Sequence, residues 1–154
     1  MSNKKNTQGN FDDNLDLWIA VEKTNPAHTR KAPSKFGKTI NTIDAMHQIR
    51  NVTSQFGPVG SDWSYTVEYD YPTLGNIMMV IAKVTVTTMY GSYGPVAGAR
   101  AMINLDAPKA KTNDDAPKMA LTDGLTKAIS HLGFNADVFL GKFDDNKYED
   151  NKSW

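Results

Sequence analysis

The chain has 154 residues, no cysteine, and 17 Lys/Arg against 17 Asp/Glu, so its formal net charge is zero. A chain of this length is expected to fold as one domain around a hydrophobic core. The lack of cysteine excludes a disulfide scaffold and a thiolate zinc site, and it favours a cytoplasmic location. No apolar run approaches the roughly 18 residues that span a bilayer. The first residues also lack the apolar core of a signal peptide.

Charge is unevenly distributed along the chain. Residues 24–143 hold 12 Lys/Arg and 9 Asp/Glu, a net charge of +3, so the two ends together carry −3. Residues 28–38 contain four Lys/Arg and no acid, and we expect them to form a basic loop. Residues 1–10 are polar and are predicted to be disordered, and residues 144–154 are predicted to be a mobile charged tail. The folded domain should therefore span residues 11–143.

Two helices are predicted in the first part of the domain. Residues 12–21 have acids in the first turn and an apolar face, and Asn25-Pro26 ends the helix. Residues 42–56 have apolar residues at spacings of four, three and four, and Gly57-Pro58 is a strong stop signal.

Three strands should follow. Residues 61–71 alternate strictly between apolar and polar side chains, which is typical of a half-buried strand. Residues 77–89 are long and rich in β-branched side chains, as in a central strand. Residues 95–105 should form the third strand, with Gly98 as a candidate β-bulge. Short turns between the strands predict an antiparallel meander.

The last helix is predicted around residues 118–132. Its apolar stripe would pack on the sheet, with Asp115 as the N-cap and Gly133 just past the C-terminal end. The opposite face is small and weakly basic. Gly124 costs about 1 kcal/mol relative to alanine in a helix interior, and either a DNA strand or a packing partner could require it. Residues 135–143 are expected to be extended. The fold class is therefore α+β, with three to four antiparallel strands and helices packed on one face.

Several chemistries lack sequence support. The three histidines form no HxxxH or HxH pair, and there is no Gly-rich phosphate loop. Two aspartate pairs, Asp114-Asp115 and Asp144-Asp145, could suggest a metal-dependent nuclease. The first pair, however, caps a predicted helix and the second lies in the charged tail. We therefore expect no catalytic residue, no metal and no cofactor.

Binding of single-stranded nucleic acid needs cations that follow the backbone and aromatic faces on which bases can stack. Tyr90 and Tyr93 flank a predicted hairpin turn, whereas Trp63, Tyr65, Tyr69 and Tyr71 are expected to pack on the sheet. The candidate DNA contacts are Arg30, Lys31, Lys35, Lys38, Lys83, Arg100, Lys118 and Lys127.

Three ordered blocks resemble the phage single-strand annealing proteins of the Sak type, relatives of the RAD fifty-two annealing domain. "GKTINTIDAMHQIRNVTSQFGPVGSDWSYTV" (residues 37–67) is similar to the family's basic loop, helix, F-G turn and Trp-led strand. "AKVTVTTMYGSYG" (82–94) is similar to its central hairpin. "KMALTDGLTKAISHLG" (118–133) is similar to its K-x-A-x-T-D-x-L-K/R-K/R-A-L-x-x-x-G helix.

The resemblance implies a homo-oligomeric ring or helical filament with an outer basic groove for single-stranded DNA. It also implies annealing without ATP, because base pairing supplies the free energy. A phage exonuclease or a host single-strand binding protein would be a partner. Three alternatives remain open: a coating protein that does not anneal, a metal-dependent nuclease, and an assembly protein without a nucleic-acid role.

Overall fold

The computed structural model describes residues 11–33, 37–107 and 112–141. The predictions for residues 1–10 and 144–154 lie outside these ranges. The described elements, in chain order, are α1 (Phe11–Asn14), α2 (Asp16–Val21), a 3-10 turn (Pro26–His28), β1 (Thr29–Pro33), β2 (Thr39–Ile43), α3 (Ala45–Phe56), β3 (Ser64–Asp70), β4 (Thr73–Leu74), β5 (Ile77–Thr88), β6 (Gly91–Asn104), α4 (Ala116–Ser130) and α5 (Ala136–Phe139).

The main sheet is built around β5. Strand β6 pairs along one side of β5, while β3 and the short β4 pair along the other, and every pairing is antiparallel. Alternate residues of β5, from Val80 to Val86, are fully buried, because alternate side chains of a strand point to opposite faces. Helix α4 packs against β5 and β6. The predicted α+β class with an antiparallel sheet is therefore confirmed.

The basic segment is not the loop that its composition predicted. Residues Thr29–Pro33 pair with Thr39–Ile43 to form an antiparallel hairpin, with Thr29 opposite Ile43 and Ala32 opposite Ile40. The β-branched residues of β2 favour a strand, and the basic side chains of β1 are compatible with an edge. Helix α3 consequently begins at Ala45 instead of Thr42, capped by the Asp44 carboxylate, which accepts a bond from the Met46 amide at 2.9 Å.

The extended segment predicted for residues 135–143 is also wrong in its described part. The chain reverses at Asn135, which has a φ of +58°, and then forms α5. Asn135 is fully buried, and its amide donates to the Thr24 hydroxyl at 2.9 Å. This buried hydrogen bond links the residue before α5 to the segment after α2. Periodicity in the sequence does not reveal it.

Gly98 and Gly124 mark the closest approach between helix and sheet. A Cβ added at Gly98 would collide with the backbone of Ala120 and Gly124. A Cβ added at Gly124 would lie 3.0 Å from the Gly98 nitrogen and 3.0 Å from a Val84 methyl. The prediction of a β-bulge at Gly98 is wrong, because the register shifts fall at Met78/Met79 and between Val84 and Val86. Of the two explanations for Gly124, packing applies, because this glycine is buried against the sheet.

Tyr93 links β6 to α4. Its hydroxyl donates a hydrogen bond to the Ala128 carbonyl, and burial raises the pKa of Tyr93 to about 12. The folded state therefore favours the neutral phenol.

Replacing Tyr93 with phenylalanine is expected to lower the free energy of unfolding at pH 8 by about 1 kcal/mol, because one hydrogen bond is lost. The pKa of Tyr93 is raised above the unfolded value of about 10. Its stabilising contribution is therefore complete below pH 10 and is lost as the pH rises toward 12. Urea unfolding at pH 8 and 11 should show that wild type and Tyr93→Phe differ less in their free energy of unfolding at the higher pH. Equal differences at the two pH values would contradict this account. Tyr71→Phe, at an exposed tyrosine, should stay close to wild type at pH 8.

Among the helices of the described ranges, none combines the length and apolar character that crossing a bilayer requires.

Candidate nucleic-acid interface

A cleft of about 450 Å³ lies between the β1–β2 hairpin and α4. Strand β2 forms one wall and α4 the other, while Ala45 of α3, Arg100 of β6 and two residues of α5 complete the lining. The lining residues are Ile40, Asn41, Thr42, Ile43, Ala45, Arg100, Lys118, Met119, Thr122, Asp123, Thr126, Val138 and Phe139. The cleft thus combines an apolar surface with two cations.

The structure places two of the predicted cations in this cleft and others on the elements that border it. Arg100 and Lys118 line the cleft, and Lys127 follows on the same helix. Arg30 and Lys31 lie exposed on β1, which is paired with the β2 wall. Lys38 is exposed just before β2, and Lys35 lies outside the described residues.

Lys83 lies on the opposite face of the sheet. Its neighbours Ala82 and Val84 are fully buried on the face that α4 covers, so the Lys83 side chain points the other way. There it forms an ion pair with Asp70, and the hydrogen bond to this carboxylate raises the pKa of Lys83. Lys83 and Arg100 therefore do not line the same groove within one protomer.

Carboxylates accompany the cations around the cleft. Arg30 lies 3.0 Å from Asp44, and Lys118 lies 3.8 Å from Asp115. Asp123 contacts two cations through the same oxygen: Oδ2 lies 3.3 Å from Arg100 and 3.1 Å from Lys127. These pairs are partly or largely solvent-exposed, so each contributes little to stability. Their main effect is to reduce the positive potential of this surface.

The β1–β2 hairpin is attached to α3 by a pair of histidines. The rings of His28 and His47 stack with centroids 4.0 Å apart and an interplanar angle of 7°. Burial, together with His47 and Arg50, lowers the pKa of His28. The stack places the start of β1 beside α3.

A buried glutamine joins α3 to α4. Gln48 is fully buried, and its side-chain amide donates to the Thr126 carbonyl at 3.3 Å. Thr126 lines the cleft, and its hydroxyl bonds to the Thr122 carbonyl at 2.9 Å. The cleft wall formed by α4 is therefore packed on the sheet and hydrogen-bonded to α3.

The aromatic residues divide between core and surface. Trp63 is 2% exposed and belongs to the hydrophobic core, and Tyr65 packs against this core, as predicted. Tyr69, near the end of β3, and Tyr71, just past it, are exposed instead. Tyr90 is 64% exposed at the β5–β6 turn and makes an edge contact with Phe56. None of these side chains lines the cleft.

Two features of the site were missed by sequence reasoning. The apolar part of the lining includes Ile40, Ile43 and Phe139, and the β-branched residues of "TINTI" (residues 39–43) were an available signal for the strand that carries the first two. The second feature is Asp123, which the sequence shows only as an acid four residues before Lys127, because Arg100 becomes its neighbour through tertiary packing.

The described residues contain no group of three or more His, Cys, Asp or Glu side chains that could hold a metal ion. The chain matches no protein-family model, and no curated protein matches it. Its function therefore has to be inferred from the cleft and its surroundings.

Proposed function

We propose that the chain binds single-stranded DNA along the cleft between the β1–β2 hairpin and α4. We further propose that it anneals complementary strands without ATP, acting as a homo-oligomer of the RAD fifty-two-like type. The protein would neutralise phosphates and hold the strand extended, and base pairing would drive the reaction. This proposal agrees with the resemblance of residues 37–67, 82–94 and 118–133 to the phage annealing proteins.

The observation that carries the proposal is that two cations from separate elements, Arg100 of the sheet and Lys118 of α4, line one cleft. Arg30 and Lys31 are exposed on β1, the strand that is paired with the β2 wall. Single-strand binding requires a groove with cations that follow the nucleic-acid backbone. The apolar lining supports contact with sugars between successive phosphates.

The homo-oligomeric part of the proposal follows from the same resemblance. In an oligomer, the few cations of each protomer would be repeated along one strand, which multiplies weak contacts into strong binding.

Fluorescence anisotropy with labelled oligonucleotides of several sequences tests the binding part. We expect affinity that is nearly independent of sequence. We also expect a log–log salt slope of about −0.7 for every phosphate contacted. Binding that does not depend on salt, or no binding, would contradict the proposal and favour an assembly protein.

An annealing assay with two complementary fluorescent strands tests the second part. The expected result is faster pairing than in protein-free buffer, without ATP or divalent metal. Unchanged or slower pairing together with tight binding would identify a coating protein. Shortened DNA products in Mg²⁺ or Mn²⁺ would identify a nuclease.

A further inference from the structure

Asp123 occupies an unusual position for a DNA-binding surface. It lines the cleft, and its Oδ2 lies 3.3 Å from the Arg100 guanidinium and 3.1 Å from the Lys127 ammonium. Its side chain is 20% exposed, against 39% for Arg100 and 53% for Lys127. One largely covered carboxylate therefore holds two more exposed cations.

The position of Asp123 is fixed by packing. A Cβ added at Gly98 would come within 3.0 Å of the Asp123 Cβ, so the helix carries this carboxylate directly over the sheet. Lys127 lies one helical turn further along, at the i+4 spacing that brings an acid and a base together. Arg100 is held as well, since its guanidinium also donates to the Ala99 carbonyl at 2.7 Å. The three charged groups thus form a preformed cluster with a net charge of +1.

We propose that Asp123 is an internal counter-ion that competes with DNA phosphate for Arg100 and Lys127 and so limits the affinity for single strands. This inference rests on the proposed function. A phosphate oxygen that enters the cleft must draw these two cations away from the carboxylate. Binding is weaker as a result, and a bound strand leaves faster. An annealing protein benefits from this, because it must release the duplex after pairing.

The test is Asp123→Asn, which keeps the side-chain shape and raises the net charge of the cluster from +1 to +2. We expect single-stranded DNA to bind about tenfold more tightly at 0.15 M salt, mainly through slower dissociation. The salt slope should steepen by about 0.7 for each protomer engaged. A merely structural role for Asp123 would not steepen the slope.

Asp70→Asn is the matched control. Asp70 pairs with Lys83 on the opposite face of the sheet, so its replacement changes net charge by the same amount away from the cleft. Its affinity is expected to remain within about twofold of wild type. Equal tightening by both variants would overturn the inference, because net charge alone would then explain the effect.

Unchanged or weaker binding by Asp123→Asn would also overturn the inference, since Asp123 would then position the cations for DNA or play no part. Thermal unfolding is measured in parallel, and Asp123→Ser provides the same loss of charge if the asparagine variant does not fold. Failure of the wild-type protein to bind single strands would instead contradict the proposed function. The two failures are therefore distinguishable.

Discussion

Replacing Arg100 and Lys118 together with glutamine is expected to weaken binding of single-stranded DNA on the order of 100-fold, at about 1.5 kcal/mol for each charge-assisted contact. These are the two cations that line the cleft from different elements. Their loss should affect all sequences equally, because phosphate contacts carry no sequence information. The salt slope should become shallower by about 1.4 for each protomer engaged.

Little of this loss should come from unfolding. Lys118 is 77% exposed and its distance to Asp115 is 3.8 Å, while Arg100 is partly exposed, so their ion pairs contribute well under about 1 kcal/mol each. The control is Lys83→Gln, which removes one cation from the opposite face of the sheet. It should bind within about twofold of wild type. If Lys83→Gln weakens binding about tenfold, the effect expected for one cation in the cleft, the strand does not lie in the cleft.

Replacing Gly98 with alanine is expected to destabilise the fold by about 3 kcal/mol, at the upper end of the usual cost of overpacking. The added Cβ would meet backbone atoms of Ala120 and Gly124, which cannot rotate away as a side chain would. Helix α4 would have to lift from the sheet, and one wall of the cleft would move with it. For a chain of this length the expected fall in Tm is roughly 6–12 °C.

Replacing Gly124, the opposing glycine, with alanine should change the free energy of unfolding much less. Gly124→Ala meets the Gly98 nitrogen and a Val84 methyl, each at 3.0 Å, but it gains about 1 kcal/mol of helix propensity. We therefore expect a net change within about 1 kcal/mol. Ser92→Thr adds one carbon at an exposed position of the same strand as Gly98 and should be nearly neutral. Thermal and urea unfolding of the three variants ranks their stabilities. A Gly98→Ala protein as stable as wild type would contradict the close approach of α4 to the sheet at Gly98.

The strands and main helices were predictable because each carries its own period. The alternation in β3, the β-branched run in β5 and the apolar stripe of α4 depend only on local spacing. The hairpin in the basic segment was not predictable in this way. Its first strand, Thr29–Pro33, is stabilised by pairing with Thr39–Ile43, and charged residues in isolation resemble a solvated loop.

The candidate site was only partly predictable for the same reason. Composition identifies cations such as Lys83, Arg100 and Lys118, but only the sheet register shows that Lys83 faces away from the other two. The carboxylates beside the cations follow from tertiary contacts, since Arg100 and Asp123 are 23 positions apart. Gly98 and Gly124 show most simply what the sequence leaves out. Each lacks a side chain where the backbone of the other comes close, and this contact is tertiary.

Cysteine crosslinking is the most direct test that DNA lies in the cleft. The chain has no cysteine, so Thr122→Cys in the cleft and Thr66→Cys on the opposite sheet face each provide a single thiol at an exposed position. Each variant is mixed with a single-stranded oligonucleotide that carries a thiol-reactive group on its phosphates. We predict efficient crosslinking at Thr122→Cys and background levels at Thr66→Cys. The reverse pattern, or equal crosslinking at both positions, would contradict the assignment of the cleft as the DNA-binding site.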